Sequence, residues 1–313
     1  MKLVSFVIPC YCSEKTIGSV LDEIRGAMLG LAQYDYEVIL VNDGSPDNTF
    51  DTIRALAESD KHVTAIDLAR NFGQQNAIMS GLSHSSGDYV VCLDDDGQTP
   101  ASEVGKLLQK LEEGYDVVYA SYEHKQHSKF RNWGSRVNSK MTEIMLGKPK
   151  DLALTSYFAI KRFVVQEMLK YKHSFPYSEG LVLRSTRRIC NVPVNHRQRQ
   201  AGTSGYTIGK LIALWMNGFT SFSVKPLRLA TYLGALSALL GFLYAIVIVI
   251  KHFVDSSIPE GWSSTMALQL VLGGIILVVL GLIGEYIGRI YICINASPQF
   301  VEREVVKKEK QEN

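Results

Sequence analysis

The chain has 313 residues, and its 33 Lys and Arg nearly balance 31 Asp and Glu, for a net charge of +2. This balance argues against a strongly basic nucleic-acid-binding surface, so no nucleic-acid partner is expected. The five cysteines, at positions 10, 12, 92, 190 and 293, fit no metal-ligand spacing and indicate reduced cytosolic thiols. A short strand-like run broken by Pro9 follows Lys2, which is unlike a signal peptide.

Apolar runs alternate with amphipathic segments over the first 120 residues. Strands are predicted at Leu3–Ile8, Tyr36–Val41, Val63–Leu68, Tyr89–Leu93 and Val117–Ala120. Helical spacing separates them, and Ser13 is the predicted amino cap of the first helix. Such alternation indicates an α/β fold with a mostly parallel, Rossmann-like sheet covered on both faces. The chain has no G-x-G-x-x-G after its first strand and no P-loop sequence, so the signatures of dinucleotide binding and ATP hydrolysis are missing.

Three consecutive carboxylates, Asp94, Asp95 and Asp96, follow the fourth predicted strand. Like charges this close repel one another unless a cation lies among them. Asp94, Asp96 and Gln98 alternate, so their oxygens can point the same way and suit Mg²⁺ or Mn²⁺ that shares its ligands with phosphate. A solvated turn is the alternative, but ligand sites of open α/β sheets lie just beyond the carboxyl ends of strands.

Polar and aromatic residues follow the other predicted strands too. They are Pro9, Tyr11 and Glu14 after the first strand, Asp43 after the second and Arg70 after the third. Singly, such residues are ordinary: a half-buried ring, an Asx turn or a surface ion pair. Their coincidence at four strand ends favours a ligand site, and a nucleoside diphosphate with its cation fits these groups.

Two long uncharged stretches predict membrane-spanning helices. Leu229–Ile250 has 22 residues without a charge and Thr265–Gly284 has 20, each enough to cross a bilayer of about 30 Å. Two buried core helices are the alternative. Lys225 and Arg228 before the first stretch and Arg289 after the second place both termini in the cytoplasm.

The predicted domain boundaries follow from these patterns. Residues 1–206 form a cytoplasmic catalytic domain, and 207–226 form an apolar helix lying in the membrane interface. Residues 227–292 form the two-span membrane region, and 293–313 form a charged cytoplasmic tail.

Five motifs, in order, resemble those of family 2 glycosyltransferases, in the polyprenyl-phosphate branch that includes dolichol-phosphate mannose synthase. They are Val7–Glu14, Val41–Ser45, Arg70–Gly73, Asp94–Gln98 and Arg199–Tyr206. Ser221–Arg228 and Gly284–Arg289 resemble the bacterial members, which use undecaprenyl phosphate. The resemblance implies a glycosyltransferase A-type fold, a multi-pass protein of the bacterial cytoplasmic membrane and a metal-dependent, inverting sugar transfer. It also implies a homo-oligomer, a tetramer in the family.

The resemblance assigns roles to individual residues. Base and ribose are assigned to Pro9, Tyr11, Glu14 and Asp43, the rest of the nucleotide site to Asp94 and Asp95, and the metal to Asp96, Gln98 and Asp94. The lipid phosphate is assigned to Ser135, Arg136 and Arg131, and the leaving diphosphate to Arg199. Asp96, Arg136 and Arg199 are the expected catalytic residues.

The sequence departs from the family pattern at Cys12, Gly205 and Tyr157, and the last two are expected near the donor sugar and acceptor. A UDP-sugar is the favoured donor and a GDP-sugar the second. A processive polysaccharide synthase is disfavoured because the chain lacks a Gln-x-x-Arg-Trp sequence, and an inactive membrane scaffold because the acidic run is intact.

Overall fold

The computed structural model describes residues 1–122, 147–195, 261–295 and 298–308, together with residue 143 and scattered residues between 227 and 250. The chain divides into two compact units. One unit combines Met1–Leu211 with Ala296–Asn313, and the other is Ile212–Asn295. The final residues therefore belong to the same unit as the amino-terminal domain.

The first unit alternates strands and helices. It begins with β1 (Lys2–Cys10), α1 (Ile17–Leu29), β2 (Tyr34–Asn42), α2 (Thr49–Ser59), β3 (Val63–Leu68), α3 (Gln74–His84) and β4 (Tyr89–Cys92). A 3₁₀ turn at Ala101–Glu103 leads into α4 (Val104–Glu112) and β5 (Val117–Tyr122). The later elements are β6 (Phe158–Lys161), α5 (Arg162–Leu169), α6 (Ser178–Ser185), β7 (Ile189–Val194) and, after the second unit, β8 (Glu302–Lys307).

All eight strands of the described residues form one sheet in the order β7-β5-β6-β4-β1-β2-β3-β8. Strands β4, β1, β2 and β3 are parallel, as are β5 and β7, whereas β6 and β8 are antiparallel to their neighbours. The predicted Rossmann-like, mostly parallel α/β fold is confirmed. After β1 the chain adds β2 and β3 on one side, and β4 then joins β1 on the other. This reversal places a ligand crevice beyond the carboxyl ends of β1 and its neighbours.

Alternation along β1 explains how both faces of the sheet are covered. Phe6 and Ile8 are fully buried in the cluster that contains the apolar faces of α1 and α4. On the opposite face, α3 approaches so closely at Gly81 that a Cβ there would lie 2.4 Å from the Val7 side chain. The close packing on both faces fixes the strand ends that carry the candidate site.

The prediction of Ser13 as the cap of α1 is wrong. Thr16 is the residue before the helix, and no side chain caps the first turn. Instead, the Ser13 carbonyl accepts the N–H groups of Thr16 and Ile17, and its own N–H donates to Thr49 Oγ1 over 2.9 Å. Ser13 therefore joins the loop after β1 to the start of α2.

The second unit contains α7 (Trp262–Ile294), of which Leu272–Ile294 is long and apolar enough to cross a membrane, with a mean hydropathy of 1.9. Ile276, Leu277 and Val278 on this helix are 57–70% exposed, which a soluble core helix would avoid. This helix overlaps the second predicted span. The first span, Leu229–Ile250, lies mostly outside the described residues, although those described within it are helical. The predicted interfacial helix, 207–226, lies wholly outside them.

Candidate active site

Loops that follow β1, β2, β3 and β4 meet at one edge of the sheet and are hydrogen-bonded to one another. They carry Tyr11, Asp43, Phe72 and the acidic run that begins at Asp94. The structure thus brings together the site residues that were predicted at the first, second and fourth strand ends. Pro9 lies beside Val41 in the paired ends of β1 and β2.

Asp43 ties the turn after β2 to the loop after β3. Its carboxylate accepts the N–H of Phe72 over 2.7 Å and the N–H of Gly73 over 2.9 Å. Burial raises the pKa of Asp43 to about 6, and these two backbone bonds oppose that rise. Gly44 has a φ of +60°, and a Cβ there would lie 2.5 Å from the backbone of Arg70 and Asn71, so the two loops need glycine at this contact.

The loop after β1 presents an aromatic ring on a fixed backbone. The N–H of Tyr11 donates to Asp95 Oδ2 over 3.0 Å, while the residue as a whole is 52% exposed. The next residue, Cys12, has a φ of +54° and donates its N–H to Ser45 Oγ. Glu14 accepts the N–H of Asn48 over 3.3 Å. The arrangement can offer Tyr11 as a stacking surface for a planar ligand.

Asp94 begins the acidic run and has side-chain partners from the start of α3 and from the segment before β6. Gln74 Nε2 donates to Asp94 Oδ1 over 3.0 Å, and the hydroxyl of Ser156 donates to Asp94 Oδ2. Burial, followed by the charges of Asp96 and Asp95, raises the pKa of Asp94 to about 6. Burial likewise raises the pKa of Asp95. Repulsion by its neighbours therefore adds to burial in disfavouring the ionised form of Asp94, and a cation among the carboxylates would relieve it.

Asp96 and Gln98 are joined by a tight turn at the end of the acidic run. The N–H of Gln98 donates to Asp96 Oδ1 over 3.0 Å, across Gly97 with its φ of +74°. Within the described ranges, no group of three or more His, Cys, Asp and Glu side chains could hold a metal by itself. One or two carboxylates that share a cation with phosphate oxygens are the usual Mg²⁺ arrangement, and Asp94, Asp96 and Gln98 fit it.

Sequence reasoning missed the two side chains that hold Asp94. Gln74 begins α3 directly after Arg70–Gly73, and a polar helix start beside a strand end was the available signal. Ser156 precedes β6, a strand too short to be recognised from its apolar pattern. The next residue, Gln75, joins α3 to α6, since its Oε1 accepts the N–H of Ser178.

The predicted acceptor residues Arg131, Ser135 and Arg136 lie outside the described residues, as does Arg199. Tyr157, at a position expected near the donor sugar and acceptor, is fully buried in the core. Its hydroxyl donates to the Pro100 carbonyl over 3.2 Å, so this departure from the family pattern is accommodated inside the protein. The expectation that this position lies near the donor sugar and acceptor stays a prediction, and the neighbouring Ser156 does bond to Asp94.

Comparison with known proteins places the chain in a family. Residues 5–169 match glycosyl transferase family 2, and residues 225–290 match the GtrB C-terminal hairpin. The undecaprenyl-phosphate 4-deoxy-4-formamido-L-arabinose transferases of Yersinia enterocolitica and Yersinia pestis are each 36% identical over 318 residues. The alignment covers 100% of this chain and 96% of each relative.

Solved structures support the fold. Glucosyl-3-phosphoglycerate synthase from Mycobacterium tuberculosis superposes with a TM-score of 0.52 at 20% identity, covering 71% of this chain and 78% of the synthase. Mannosyl-3-phosphoglycerate synthase from Rubrobacter xylanophilus gives 0.51 at 17% identity, covering 69% and 71%. With this fold and the full-length similarity to the Yersinia transferases, the chain belongs to glycosyl transferase family 2 and is a glycosyltransferase.

Proposed function

We propose that this glycosyltransferase moves a sugar from a nucleotide sugar, with a UDP-sugar as the first candidate, to undecaprenyl phosphate at the cytoplasmic face of a bacterial membrane. The product would feed the synthesis or modification of a cell-envelope glycan. The observation that carries the proposal is the full-length similarity to transferases named for undecaprenyl phosphate. The geometry at the strand ends supplies the reason to expect a nucleotide-sugar donor.

The donor site is proposed along the ends of β1, β2 and β4. The exposed ring of Tyr11 would stack on the base, and Asp43 would accept hydrogen bonds from base or ribose with the lone pairs that Phe72 and Gly73 leave. Glu14 lies on the same loop as Tyr11 and would complete this end. Asp94 and Asp95 would line the site toward the diphosphate.

A divalent cation is proposed at the acidic run. Asp96 with Gln98, and Asp94 beside them, would hold Mg²⁺ or Mn²⁺, which would neutralise charge on the diphosphate when bound. The raised pKa of Asp94 supports this assignment, because a cation would relieve the repulsion that contributes to it. A solved structure of the same fold, the mycobacterial synthase, contains Mn²⁺ together with UDP-glucose, which supports use of a divalent cation in general.

The proposed reaction is a single displacement at the anomeric carbon, with inversion. A phosphate monoester has a second pKa near 6, so the lipid phosphate is largely dianionic at neutral pH and needs little help from a general base. Its oxygen forms the new bond to the anomeric carbon as the bond to the nucleoside diphosphate breaks. Arg136 for the lipid phosphate and Arg199 for the departing diphosphate stay predictions of the sequence.

The path of the chain supports an even number of membrane crossings. Residues up to Leu211 and from Ala296 belong to one compact unit, and β8 pairs with β3 in its sheet. If Leu272–Ile294 crosses the membrane, a second crossing must lie between residues 212 and 271 for the chain to return to that unit. The match to a C-terminal hairpin over residues 225–290 also supports two spans. The homo-oligomer stays a prediction.

A transfer assay tests the proposed reaction. Purified full-length protein is incubated with undecaprenyl phosphate, Mn²⁺ and a panel of UDP- and GDP-sugars, and the lipid fraction is weighed by mass spectrometry. We expect one glycosyl phospholipid, from a UDP-sugar. A product from GDP-sugars alone would show that the donor is a GDP-sugar. Sugar transfer to water or to a growing polysaccharide would contradict undecaprenyl phosphate as the acceptor.

A labelling experiment tests the topology. Single accessible tags placed after Asn313 and beside Ser257 should react from opposite sides of the membrane in intact cells and inverted vesicles. The tag after Asn313 reports the side of the catalytic unit, because β8 belongs to that unit. Labelling of both tags from one side would mean that Leu272–Ile294, which lies between them in the chain, does not cross the membrane.

A further inference from the structure

Strand β8, which follows the membrane region in the chain, joins the sheet through an irregular pairing with β3. Asp67 of β3 pairs with Glu304, but the next residue, Leu68, pairs with Glu302. Arg303 is therefore the extra residue of a β-bulge. Bulges turn a side chain away from the regular alternation and are frequent beside active sites.

The bulge lets Arg303 reach two groups at the end of β3. One guanidinium nitrogen of Arg303 donates to Asp67 Oδ2 over 3.1 Å, and the other donates to the Ala69 carbonyl over 2.8 Å. Ala69 immediately precedes the loop Arg70–Gly73, whose backbone holds Asp43. A forked guanidinium suits two acceptors at once, which an ammonium does not.

Asp67 carries this contact further into the site. It is 4% exposed, and its Oδ1 accepts Asn42 Nδ2 over 2.7 Å. Asn42 Oδ1 in turn accepts the N–H of Ser45, whose hydroxyl accepts the N–H of Cys12 beside Tyr11. A chain of hydrogen bonds thus runs from Arg303 through a buried carboxylate to the loops after β1 and β2.

We propose that Arg303 is a positioning residue for the base and ribose end of the donor site. By holding Asp67 and the Ala69 carbonyl, it fixes the turn that carries Asp43 and the loop that packs against it. The carboxyl-terminal strand thereby completes the nucleotide pocket after the chain has returned from the membrane region. This inference rests on the proposed function, since it assigns the base to the pocket beside Tyr11 and Asp43.

Calorimetry and inhibition on purified full-length protein test the inference. UDP binding is measured with Mn²⁺, and inorganic pyrophosphate, which has no base or ribose, is measured as an inhibitor of transfer. We expect Arg303→Ala to lower UDP affinity by about tenfold, as for a lost charge-assisted hydrogen bond acting indirectly. Inhibition by pyrophosphate should stay within about twofold of the parent. Arg303→Lys should fall between, because it keeps the charge but not both bonds.

Glu304→Ala is the matched control on the same strand. The Glu304 side chain pairs with Arg54 of α2, whereas Glu304 meets Asp67 only through the backbone pairing of β8 with β3, so its truncation to Ala disturbs β8 without removing a side chain of the hydrogen-bond chain. We expect the parent UDP affinity for this variant. Melting temperatures of all variants show how far each is destabilised.

The outcomes separate the two proposals. Parent-like UDP binding by Arg303→Ala, or an equal loss of UDP and pyrophosphate, overturns the role of Arg303. If Arg303→Ala does not fold, Arg303→Lys decides, because parent-like UDP affinity in that variant also overturns it. A parent protein that binds neither UDP nor GDP counts against the proposed function instead.

Discussion

Asp43 and Asp94 are both carboxylates at the end of a strand of one sheet, yet their surroundings differ. Each has a pKa raised to about 6, with burial as the largest cause. At Asp43 the rise in pKa is opposed by two backbone donors, the N–H groups of Phe72 and Gly73. Asp94 has side-chain donors, Gln74 and Ser156, and also feels the negative charges of its two neighbours in the acidic run.

The difference separates the Asp43 end of the site, whose carboxylate already has protein donors, from the Asp94 end, where a bound cation would offset the negative charge. At Asp43 the carboxylate is matched by N–H groups of the protein, so the loops after β2 and β3 are already fixed before a ligand binds. At Asp94 the added negative charge has no counterpart among the groups that shift its pKa, and a divalent ion between carboxylates and diphosphate would supply it. Rigid recognition at one end and cation-dependent charge neutralisation at the other is a reasonable division for a glycosyltransferase.

The largest effect is expected at the acidic run. Asp96→Asn should lower sugar transfer by at least about 10²-fold, since several kcal/mol of charge stabilisation depend on the cation. A chelator should abolish transfer by the parent, and Mn²⁺ or Mg²⁺ should restore it. Asp22→Asn, the same change at an exposed ion pair on α1, is the matched control. Full activity in excess chelator would show that the run does not serve a metal.

Asp43→Ala should weaken donor binding and lower the stability of the fold together. The change leaves the N–H groups of Phe72 and Gly73 without their acceptor, which costs up to about 1–3 kcal/mol for each of these partly buried groups. We expect a lower melting temperature and a donor KM raised by about tenfold or more, with a smaller change in kcat. In Asp96→Asn the pattern should be reversed, with kcat falling at nearly constant melting temperature. Equal effects of both variants on kcat and melting temperature would remove the distinction between the two parts.

The titration of Asp43 gives the next effect. The pKa of Asp43 is about 6, above the ordinary value of 3.8. Between these two pH values the folded chain therefore holds a proton that the unfolded chain has released. This contribution to stability is present below pH 4 and is lost as the pH rises through 6, by up to about 3 kcal/mol. The ionised carboxylate is the better acceptor for the donor, so donor KM should rise several-fold as the pH falls below 6. Asp43→Asn should lose both dependences, and a parent-like pH profile in that variant would exclude Asp43 as their source.

Strands β1 to β4 and the helices between them could be predicted from the sequence, for a physical reason. Strands β1 to β4 are buried on both faces, so they are nearly continuous apolar runs, and the helices between them show an apolar stripe. Because the carboxyl ends of parallel strands share one edge, the meeting of Tyr11, Asp43 and Asp94 followed from their positions alone.

The antiparallel strands could not be predicted in the same way. Strand β6 has only four residues, and β8 reads Glu-Arg-Glu-Val-Val-Lys, a pattern with no apolar alternation. The sequence therefore predicted a charged tail where the structure has an edge strand. The one available signal was Asp67, a carboxylate inside the otherwise apolar β3, since a buried charge requires a partner. Its partner Arg303 is 236 residues away along the chain, which no local pattern reveals.

The smallest effect is expected at Tyr157, a departure from the family pattern at a position expected near the donor sugar and acceptor. Its ring is fully buried, and its hydroxyl donates to the Pro100 carbonyl, so Tyr157→Phe should cost about 0.5–1.5 kcal/mol of stability. The ratio of kcat/KM for two nucleotide sugars should stay unchanged, because Tyr157 is fully buried and exposes no surface that a ligand could touch. Tyr122→Phe is the contrasting variant, since Tyr122 ends β5 and its pKa is raised by burial and by the charges of Asp94 and Asp96. We expect that variant to alter transfer, and a changed sugar preference in Tyr157→Phe with parent-like behaviour in Tyr122→Phe would reverse the assignment of these two rings.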